Sequence, residues 1–212
     1  MKAGRAQFIT LEGVEGAGKS TNLTYLCELL DARGIDYIVT REPGGTPVAE
    51  RLRECLLAEH EEPIDGMAEL LMIFAARAQH LANLVVPALE RGQWVVCDRF
   101  TDATFAYQGG GRELGFETVE ALESMVQRSL HPDLTIVLDV PVDVSMERTA
   151  NRGELDRFEK ESQAFFERVR SAYQLRLQRA PERYRLVDAS QPLPQVKAVI
   201  KTVLEDFLGA AG

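Results

Sequence analysis

Short apolar runs alternate with amphipathic segments along the whole chain. Five apolar runs have the length of strands, at 7–12, 37–39, 94–97, 134–138 and 184–188. Between them, hydrophobic residues at helical spacing predict helices at 20–33, 47–57, 67–91, 101–108, 116–130, 142–151, 161–180 and from about 193. Strands that are continuously apolar are buried on both faces. The pattern therefore predicts an α/β protein with three layers, a five-stranded parallel sheet and helices on both faces.

Length, charge and cysteine usage limit the class of protein. The 212 residues suit a single domain over 1–212. A net charge of −9 argues against a general nucleic-acid binder, whose surface would be basic. The longest apolar run, 70–76, is too short for a membrane, and no signal peptide precedes the first strand. Cys27, Cys55 and Cys97 are far apart, so we expect a cytoplasmic protein with neither a disulfide framework nor a cysteine metal site.

The strongest local signal follows the first strand. Residues 13–20 fit G-x-x-x-x-G-K-[ST] and lie between a predicted strand and a predicted helix, which is the context of a phosphate-binding P-loop. Glycines let backbone N–H groups approach phosphate oxygens, and the amino end of the helix adds partial positive charge. Lys19 supplies a full charge, and Ser20 can bind Mg²⁺. We expect ATP to bind at Gly13, Val14, Glu15, Gly16, Ala17, Gly18, Lys19, Ser20 and Thr21.

Other candidate residues follow the remaining strands. Right-handed crossovers bring the loops after parallel strands to one edge of the sheet, so these residues should lie near the P-loop. Magnesium at a P-loop needs a carboxylate from a neighbouring strand end. Asp98 and Asp139 both qualify. Asp98 is favoured because Arg99, which can hold a phosphate, follows it directly; the alternative for Asp139 is a structural carboxylate with its own partner.

Two groups of residues could form a pocket for a planar base. Phe74 and Arg77 share a face of the predicted helix 67–91. Either Phe74 stacks on a base while Arg77 donates to a carbonyl, or both belong to the core and Arg77 pairs with an acid. Gly109–Gly111 is expected to end the helix 101–108. The polar face of that helix either contacts a base edge or is simply solvated, and it carries Thr104, Tyr107 and Gln108.

Arginines are concentrated after the fourth strand, at Arg148, Arg152 and Arg157. Mobile arginines near a P-loop can neutralise the transferring phosphoryl group. A solvated charged surface is the alternative. We expect the segment of about 148–160 to form a short lid.

Taken together, these segments resemble the thymidylate kinase family of bacterial type, among the nucleoside monophosphate kinases. Many families share the P-loop, whereas Arg-Glu-Pro-Gly-Gly at 41–45 and Tyr-Gln-Gly-Gly-Gly at 107–111 are far more specific. The resemblance covers nearly the whole chain and implies a P-loop NTPase-type fold and a homodimer. It implies Mg²⁺-dependent transfer of the γ-phosphoryl group of ATP to dTMP, giving dTDP and ADP for dTTP synthesis. The implied catalytic residues are Lys19, Arg99, Arg152 and Arg157, with Ser20 and Asp98 for the metal.

The resemblance also implies a binding site for dTMP. Its residues would be Glu15, Glu42, Pro43, Arg53, Phe74, Arg77, Arg99, Thr104, Tyr107 and Gln108. Glu15 would hold the 3′-hydroxyl of the sugar, and Tyr107 would crowd the 2′ position. Phe74 would stack on thymine and Arg77 would bond O4, while the N3 side would face Thr104 and Gln108. The acceptor phosphate would contact Arg53, Arg99 and the turn at Glu42 and Pro43.

The chain departs from the family pattern at two positions. Some members carry an arginine inside the P-loop where this chain has Gly16, so the equivalent charge would come from the lid. Phe100 replaces the tyrosine of an Asp-Arg-Tyr triplet and brings no hydroxyl.

Two other functions remain open from the residues. A P-loop kinase acting on a hydroxyl would need a carboxylate as proton acceptor, and Glu12 or Glu42 could serve. A GTPase-like switch would need an N/T-K-x-D guanine signature, which the sequence lacks.

Overall fold

A computed structural model of the chain describes residues 5–151 and 156–210. Its centre is a five-stranded sheet in the order β2-β3-β1-β4-β5, in which every pairing is parallel. The strands are β1 (Phe8–Glu12), β2 (Tyr37–Arg41), β3 (Trp94–Asp98), β4 (Leu134–Asp139) and β5 (Tyr184–Asp188). The predicted α/β fold with a parallel sheet is confirmed.

Helices connect the strands and surround the sheet. They are α1 (Lys19–Asp31), α2 (Pro47–Leu57), α3 (Gly66–His80), α4 (Val86–Glu90), α5 (Thr101–Thr104), α6 (Phe116–Gln127), α7 (Val142–Ala150), α8 (Gln163–Arg179) and α9 (Leu193–Ala210). Two π-helical segments continue helices without a break. Leu81–Val85 joins α3 to α4, and Phe105–Gly111 continues α5. The predicted helix 67–91 is therefore one long helix with a π-helical segment inside it.

The predicted helix break at Gly109–Gly111 is wrong, because these glycines lie inside the π-helical segment. Helix α8 packs directly against them. A Cβ atom at Gly110 would lie 2.7 Å from the Cβ of Ala172, and one at Gly111 would lie 2.5 Å from the ring of Phe165. The glycines thus serve close packing between two helices, a long-range constraint that overrides the usual helix-breaking tendency of glycine.

Within the described residues, one helix, Gly66–Glu90, is long and apolar enough to cross a membrane by length and composition. It also carries three buried polar side chains, Glu69, Arg77 and His80. Their partners lie on other elements of the fold, and the apolar residues of the helix contribute to two hydrophobic clusters. These contacts are those of a core helix.

The register of the sheet brings the strand ends together. Leu11 of β1 and Arg41 of β2 both pair with Asp98 of β3. The residues that follow these positions therefore emerge at one edge of the sheet, beside the P-loop. This edge is where ligands bind in open α/β sheets.

Candidate active site

The P-loop leads directly into the amino end of α1. Gly18 precedes the helix in a left-handed conformation with φ of 84°, and no side chain among the described residues caps the helix there. The first backbone N–H groups of a helix have no partner within the helix. Those of Lys19, Ser20 and Thr21 are therefore available to an anion, and the helix dipole adds to the attraction.

Lys19 is held across the mouth of this loop. Its Nζ donates to the main-chain oxygens of Gly13 and Val14 at 3.0 and 2.8 Å. An ammonium group has three donors, so one remains for a phosphate oxygen. Burial, together with the nearby positive charge of Arg99, lowers the pKa of Lys19 to about 8. The group is therefore a poorly hydrated cation that gains much from an anionic ligand.

Arg99 binds the P-loop from the side. Its Nη1 donates to the main-chain oxygen of Gly13 at 2.8 Å and to the Tyr107 hydroxyl at 3.2 Å, and its Nη2 donates to Glu15 Oε1 at 2.6 Å. The Tyr107 hydroxyl in turn donates to Glu15 Oε2. Burial alone would raise the pKa of Glu15, but Arg99 and Lys19 hold it below its usual value. Glu15 is therefore an anion that fixes Arg99 and Tyr107 beside the loop.

Glu12, at the end of β1, stabilises the backbone after Arg99. Arg99 has a φ of 65°, in the left-handed region that non-glycine residues rarely adopt. The following N–H, of Phe100, donates to Glu12 Oε1 at 2.7 Å, and Tyr173 donates to Glu12 Oε2 at 2.9 Å. Burial, and the nearby charge of Asp102, raise the pKa of Glu12 to about 8. Such strained backbone is typical of functional sites.

The structure distinguishes the two candidate metal carboxylates. Both oxygens of Asp139 accept hydrogen bonds from Arg170 at 2.7 Å, which makes it a structural carboxylate. Asp98 lines the same cavity as Ser20. Its Oδ1 is buried and has no hydrogen-bond partner among the described residues. A carboxylate oxygen without a partner and a serine hydroxyl fit Mg²⁺, which binds few protein ligands and completes its shell with phosphates and water.

A chain of buried polar groups surrounds Arg77. Arg77 Nε donates to Glu42 Oε2 at 2.7 Å, and its Nη2 donates to Thr104 Oγ1 at 2.8 Å. Glu42 Oε1 lies 2.8 Å from His80 Nδ1, whose other ring nitrogen lies 2.7 Å from Thr40 Oγ1. Arg77 is 1% exposed, and its Nη1 has no hydrogen-bond partner in the part of the chain that is described. A buried donor without a partner is costly, so Arg77 Nη1 is ready for a ligand.

Ile73, rather than Phe74, lies on the cavity side of α3. Ile73 and Arg77 both line the cavity, as residues four apart on a helix share a face. Phe74 packs in a core cluster with Leu70, Phe105 and Val119. The Arg77 guanidinium carbon lies 4.7 Å from the centre of the Phe74 ring. The structure therefore does not bring Phe74 to the stacking position expected from the sequence; the ring supports Arg77 from the core.

The site is a single cavity of about 220 Å³ at the carboxyl edge of the sheet. The sequence-predicted residues that line it are Glu15, Lys19, Ser20, Glu42, Pro43, Arg53, Arg77, Asp98, Arg99, Thr104, Tyr107 and Gln108. Residues that the sequence did not point to are Leu57, Ile73, Asp156, Phe158 and Glu159, together with Phe100 and Ala103. The cavity is thus lined both by residues of the phosphate-binding loop and by Arg77 with its partners Glu42 and Thr104.

The arginines expected in the lid are placed differently from one another. Arg152 lies outside the described residues. Arg157 does not line the cavity; its Nη2 lies 2.6 Å from Glu69 Oε2, and its Nε donates to the main-chain oxygen of Leu56 at 2.9 Å. Arg148 Nη1 donates hydrogen bonds to the main-chain oxygens of Gly16 and Ala189 at 3.4 and 3.0 Å. No lid arginine that is described contacts the cavity.

Comparison with known proteins identifies the family to which the chain belongs. A model of the family described as thymidylate kinase matches residues 11–200. The chain belongs to the thymidylate kinase family. It is 60% identical over 202 residues to the thymidylate kinase of Teredinibacter turnerae, covering 95% of this chain and 98% of that protein.

Similarity to other members is as extensive. The thymidylate kinase of Pseudomonas fluorescens is 58% identical over 204 residues, which is 96% of this chain and 97% of the relative. That of Pseudomonas putida W619 is 59% identical over 201 residues, with 95% and 97% covered. The match to this family spans both the P-loop and Arg77, so it applies to the whole site.

Proposed function

We propose that this chain is a cytoplasmic thymidylate kinase that transfers the γ-phosphoryl group of ATP to dTMP with Mg²⁺, giving dTDP and ADP. Membership of the family and the shape of the cavity support this function. The observation that carries it is the buried Nη1 of Arg77, which has no hydrogen-bond partner among the described residues and belongs to a side chain that lines the same cavity as the P-loop. A base carbonyl there would complete the hydrogen bonding of Arg77, while the acceptor phosphate would reach Arg53 and Arg99.

The cavity is lined by Arg77 and Gln108, which offer a donor and an acceptor for a base. Arg77 offers Nη1 as a donor for O4 of thymine. Gln108 Nε2 is already bound to Glu69 at 2.8 Å, so its Oε1 is left to accept from N3–H. Thr104 Oγ1 accepts a hydrogen bond from Arg77 Nη2 and lines the same cavity. Ile73 would provide apolar contact with the ring.

In this proposal the chain acts by positioning and by neutralising charge. The acceptor is already an anionic phosphate, so the reaction needs no general base. Lys19 would hold the transferred group from the P-loop, and Arg99 would hold the acceptor phosphate. Ser20 and Asp98 would hold Mg²⁺, which would supply positive charge to the phosphates when bound. Lid arginines, Arg152 or Arg157, would supply further positive charge.

The alternative of a kinase that acts on a hydroxyl receives less support from the geometry. Both oxygens of Glu12 accept hydrogen bonds, and Glu12 does not line the cavity. Glu42 lines it, but its oxygens are bound to Arg77 and His80. Neither carboxylate is placed to take a proton from a hydroxyl acceptor. An assay of ADP release with dTMP and with thymidine separates the two kinase functions, and a comparison of ATP with GTP tests the GTPase alternative.

Replacing Arg77 with alanine is expected to raise the KM for dTMP far more than the KM for ATP. A buried hydrogen bond to a charged group contributes about 1.5–3 kcal/mol, which corresponds to a KM change of roughly tenfold to a hundredfold. Initial-rate kinetics with each substrate varied in turn would measure both constants. Arg91→Ala, on the surface at the end of α4, is the control. Equal changes in both KM values would contradict a role for Arg77 in binding the base.

We further propose that the protein is a homodimer. Helix α3 exposes Met67 and Leu71, which lie four residues apart on one face and are 41% and 50% exposed. Light scattering should give twice the chain mass of 23.6 kDa, and Leu71→Glu should shift the population to monomer because a charge in an apolar interface is unfavourable. Val199→Glu, on α9, is the control and should leave the mass unchanged. A wild-type monomer at micromolar concentration would contradict the proposal.

A further inference from the structure

A buried carboxylate, Glu69, is bound to Gln108 of the cavity lining, and the proposal above gives it no role in binding the base. Glu69 lies on α3 two turns before Arg77, and its side chain is 0% exposed. Its Oε1 accepts hydrogen bonds from Gln108 Nε2 at 2.8 Å and from Arg112 Nε at 3.1 Å. Its Oε2 accepts from Arg112 Nη2 at 3.2 Å and lies 2.6 Å from Arg157 Nη2. Glu69 thus joins three side chains from two later parts of the chain.

The two arginines balance the charge of Glu69, since a buried carboxylate is stable only with charged partners. Arg112 also pairs with Glu161 at 2.5 Å, so the cluster contains two acids and two bases. Charge balance does not explain the bond to Gln108, which is neutral. Gln108 is also the partner of Glu69 that lines the cavity.

The bond to Glu69 determines which atom of Gln108 a ligand meets. A carboxylate only accepts hydrogen bonds, whereas an amide side chain has one accepting oxygen and one donating nitrogen. Because Nε2 of Gln108 is bound to Glu69, the amide cannot rotate by half a turn without placing two acceptors against each other. The oxygen Oε1 is therefore the polar atom of this amide that remains for a ligand, in the cavity that Arg77 also lines.

We propose that Glu69 is a positioning residue that sets base specificity by fixing the orientation of the Gln108 amide. Thymine presents an acceptor at O4 and a donor at N3, which matches Arg77 and Gln108 Oε1. Cytosine presents a donor at N4 and an acceptor at N3, which opposes both. The inference rests on the proposed function, because dTMP must occupy the cavity with its base at Arg77 and Gln108.

The test is the Glu69→Gln variant, which has the same shape but no longer dictates the amide orientation. We expect the ratio of kcat/KM for dTMP to that for dCMP to fall about tenfold or more. The reason is that the Gln108 amide can then turn, so that it no longer opposes the polar groups of cytosine. The KM for ATP should stay within twofold of the wild type. Glu161→Gln is the matched control: it removes a carboxylate bound to Arg112 without touching Gln108, and should leave the ratio unchanged. An unchanged ratio in Glu69→Gln would overturn the proposal.

Two further variants keep the proposal testable if Glu69→Gln does not fold. Glu69→Asp keeps the charge for the arginines but withdraws the acceptor from Gln108, so the ratio should fall; no fall would overturn the proposal. In a Gln108→Leu background, Glu69→Asp should change the ratio by less than twofold, because the residue acts through Gln108. A larger change in that background would show that Glu69 acts by another route and would also overturn the proposal.

Binding measurements separate this inference from the proposed function. Calorimetric titration with dTMP and with dCMP, without ATP, measures the preference for dTMP over dCMP in binding, independently of turnover. A wild-type protein that binds dTMP but does not release ADP would contradict the proposed function and leave the Glu69 test intact. Equal dTMP preference in the wild type and Glu69→Gln would contradict the role of Glu69 alone.

Discussion

Lys19→Ala is expected to lower kcat by about 10³-fold or more while the protein remains folded. Lys19 is the charged side chain fixed within the phosphate cradle, where its Nζ lies on the main-chain oxygens of Gly13 and Val14. Removal of one preorganised donor to developing charge costs about 10²–10³ in rate, and Lys19 adds a full charge. Steady-state kinetics with ATP and dTMP at saturation would measure the loss.

Thermal unfolding serves as the control for this variant. Burial lowers the pKa of Lys19, so the folded protein disfavours the charged form of this side chain. We therefore expect that replacing Lys19 with alanine does not lower the melting temperature by removing an ion pair. Lys201→Ala, an exposed lysine on α9, should leave both kcat and unfolding unchanged. A Lys19→Ala protein that melts cooperatively and keeps kcat within tenfold of the wild type would contradict the P-loop assignment.

The parts of the site that follow local rules were predictable from the sequence. The P-loop is defined by spacing within eight residues and by the strand and helix on either side. The convergence of Glu42 and Asp98 follows from the parallel sheet, since the carboxyl ends of its strands share an edge. The choice between Asp98 and Asp139 is different. It depends on Arg170, which lies 31 residues beyond Asp139 and has no sequence spacing that identifies it as a partner.

Other features depend on helix phase or on tertiary packing. Ile73 and Phe74 differ by one position, yet one lines the cavity and the other lies in the core. The four-residue spacing of Ile73 and Arg77 is the signal that could have identified Ile73. The Glu69 cluster joins residues 39 and 43 positions apart, at Gln108 and Arg112, and no local pattern connects them.

Gly16 lies where the backbone disfavours a side chain, so in the proposed function the charge at the transferring phosphoryl group would come from other residues. Gly16 has a φ of +71°, and a Cβ atom there would lie 2.5 Å from the main-chain oxygen of Ser145. An arginine at this position would be strained by the backbone conformation and would have to displace the contact with α7.

The lid arginines are therefore the proposed source of that charge. Arg157 is held by Glu69 and by the main-chain oxygen of Leu56, so its role requires it to exchange Glu69 for a phosphate oxygen. Glu69 would keep Arg112 as a charged partner during this exchange, at 3.1 and 3.2 Å. Loss of Arg157 from Glu69 thus does not leave a buried carboxylate without compensation.

The double variant Arg152→Ala/Arg157→Ala is expected to lower kcat by about 10³–10⁵-fold, the effect of removing an arginine finger. Its affinity for ATP should change only modestly, because the charge is needed chiefly in the transition state. Each single variant should lose less, since the two arginines can substitute for one another. Arg179→Ala, an exposed arginine of α8 paired with Glu120, is the control and should be nearly silent. A double variant that unfolds like the wild type and keeps kcat within threefold of it would assign Arg152 and Arg157 to the solvated surface instead.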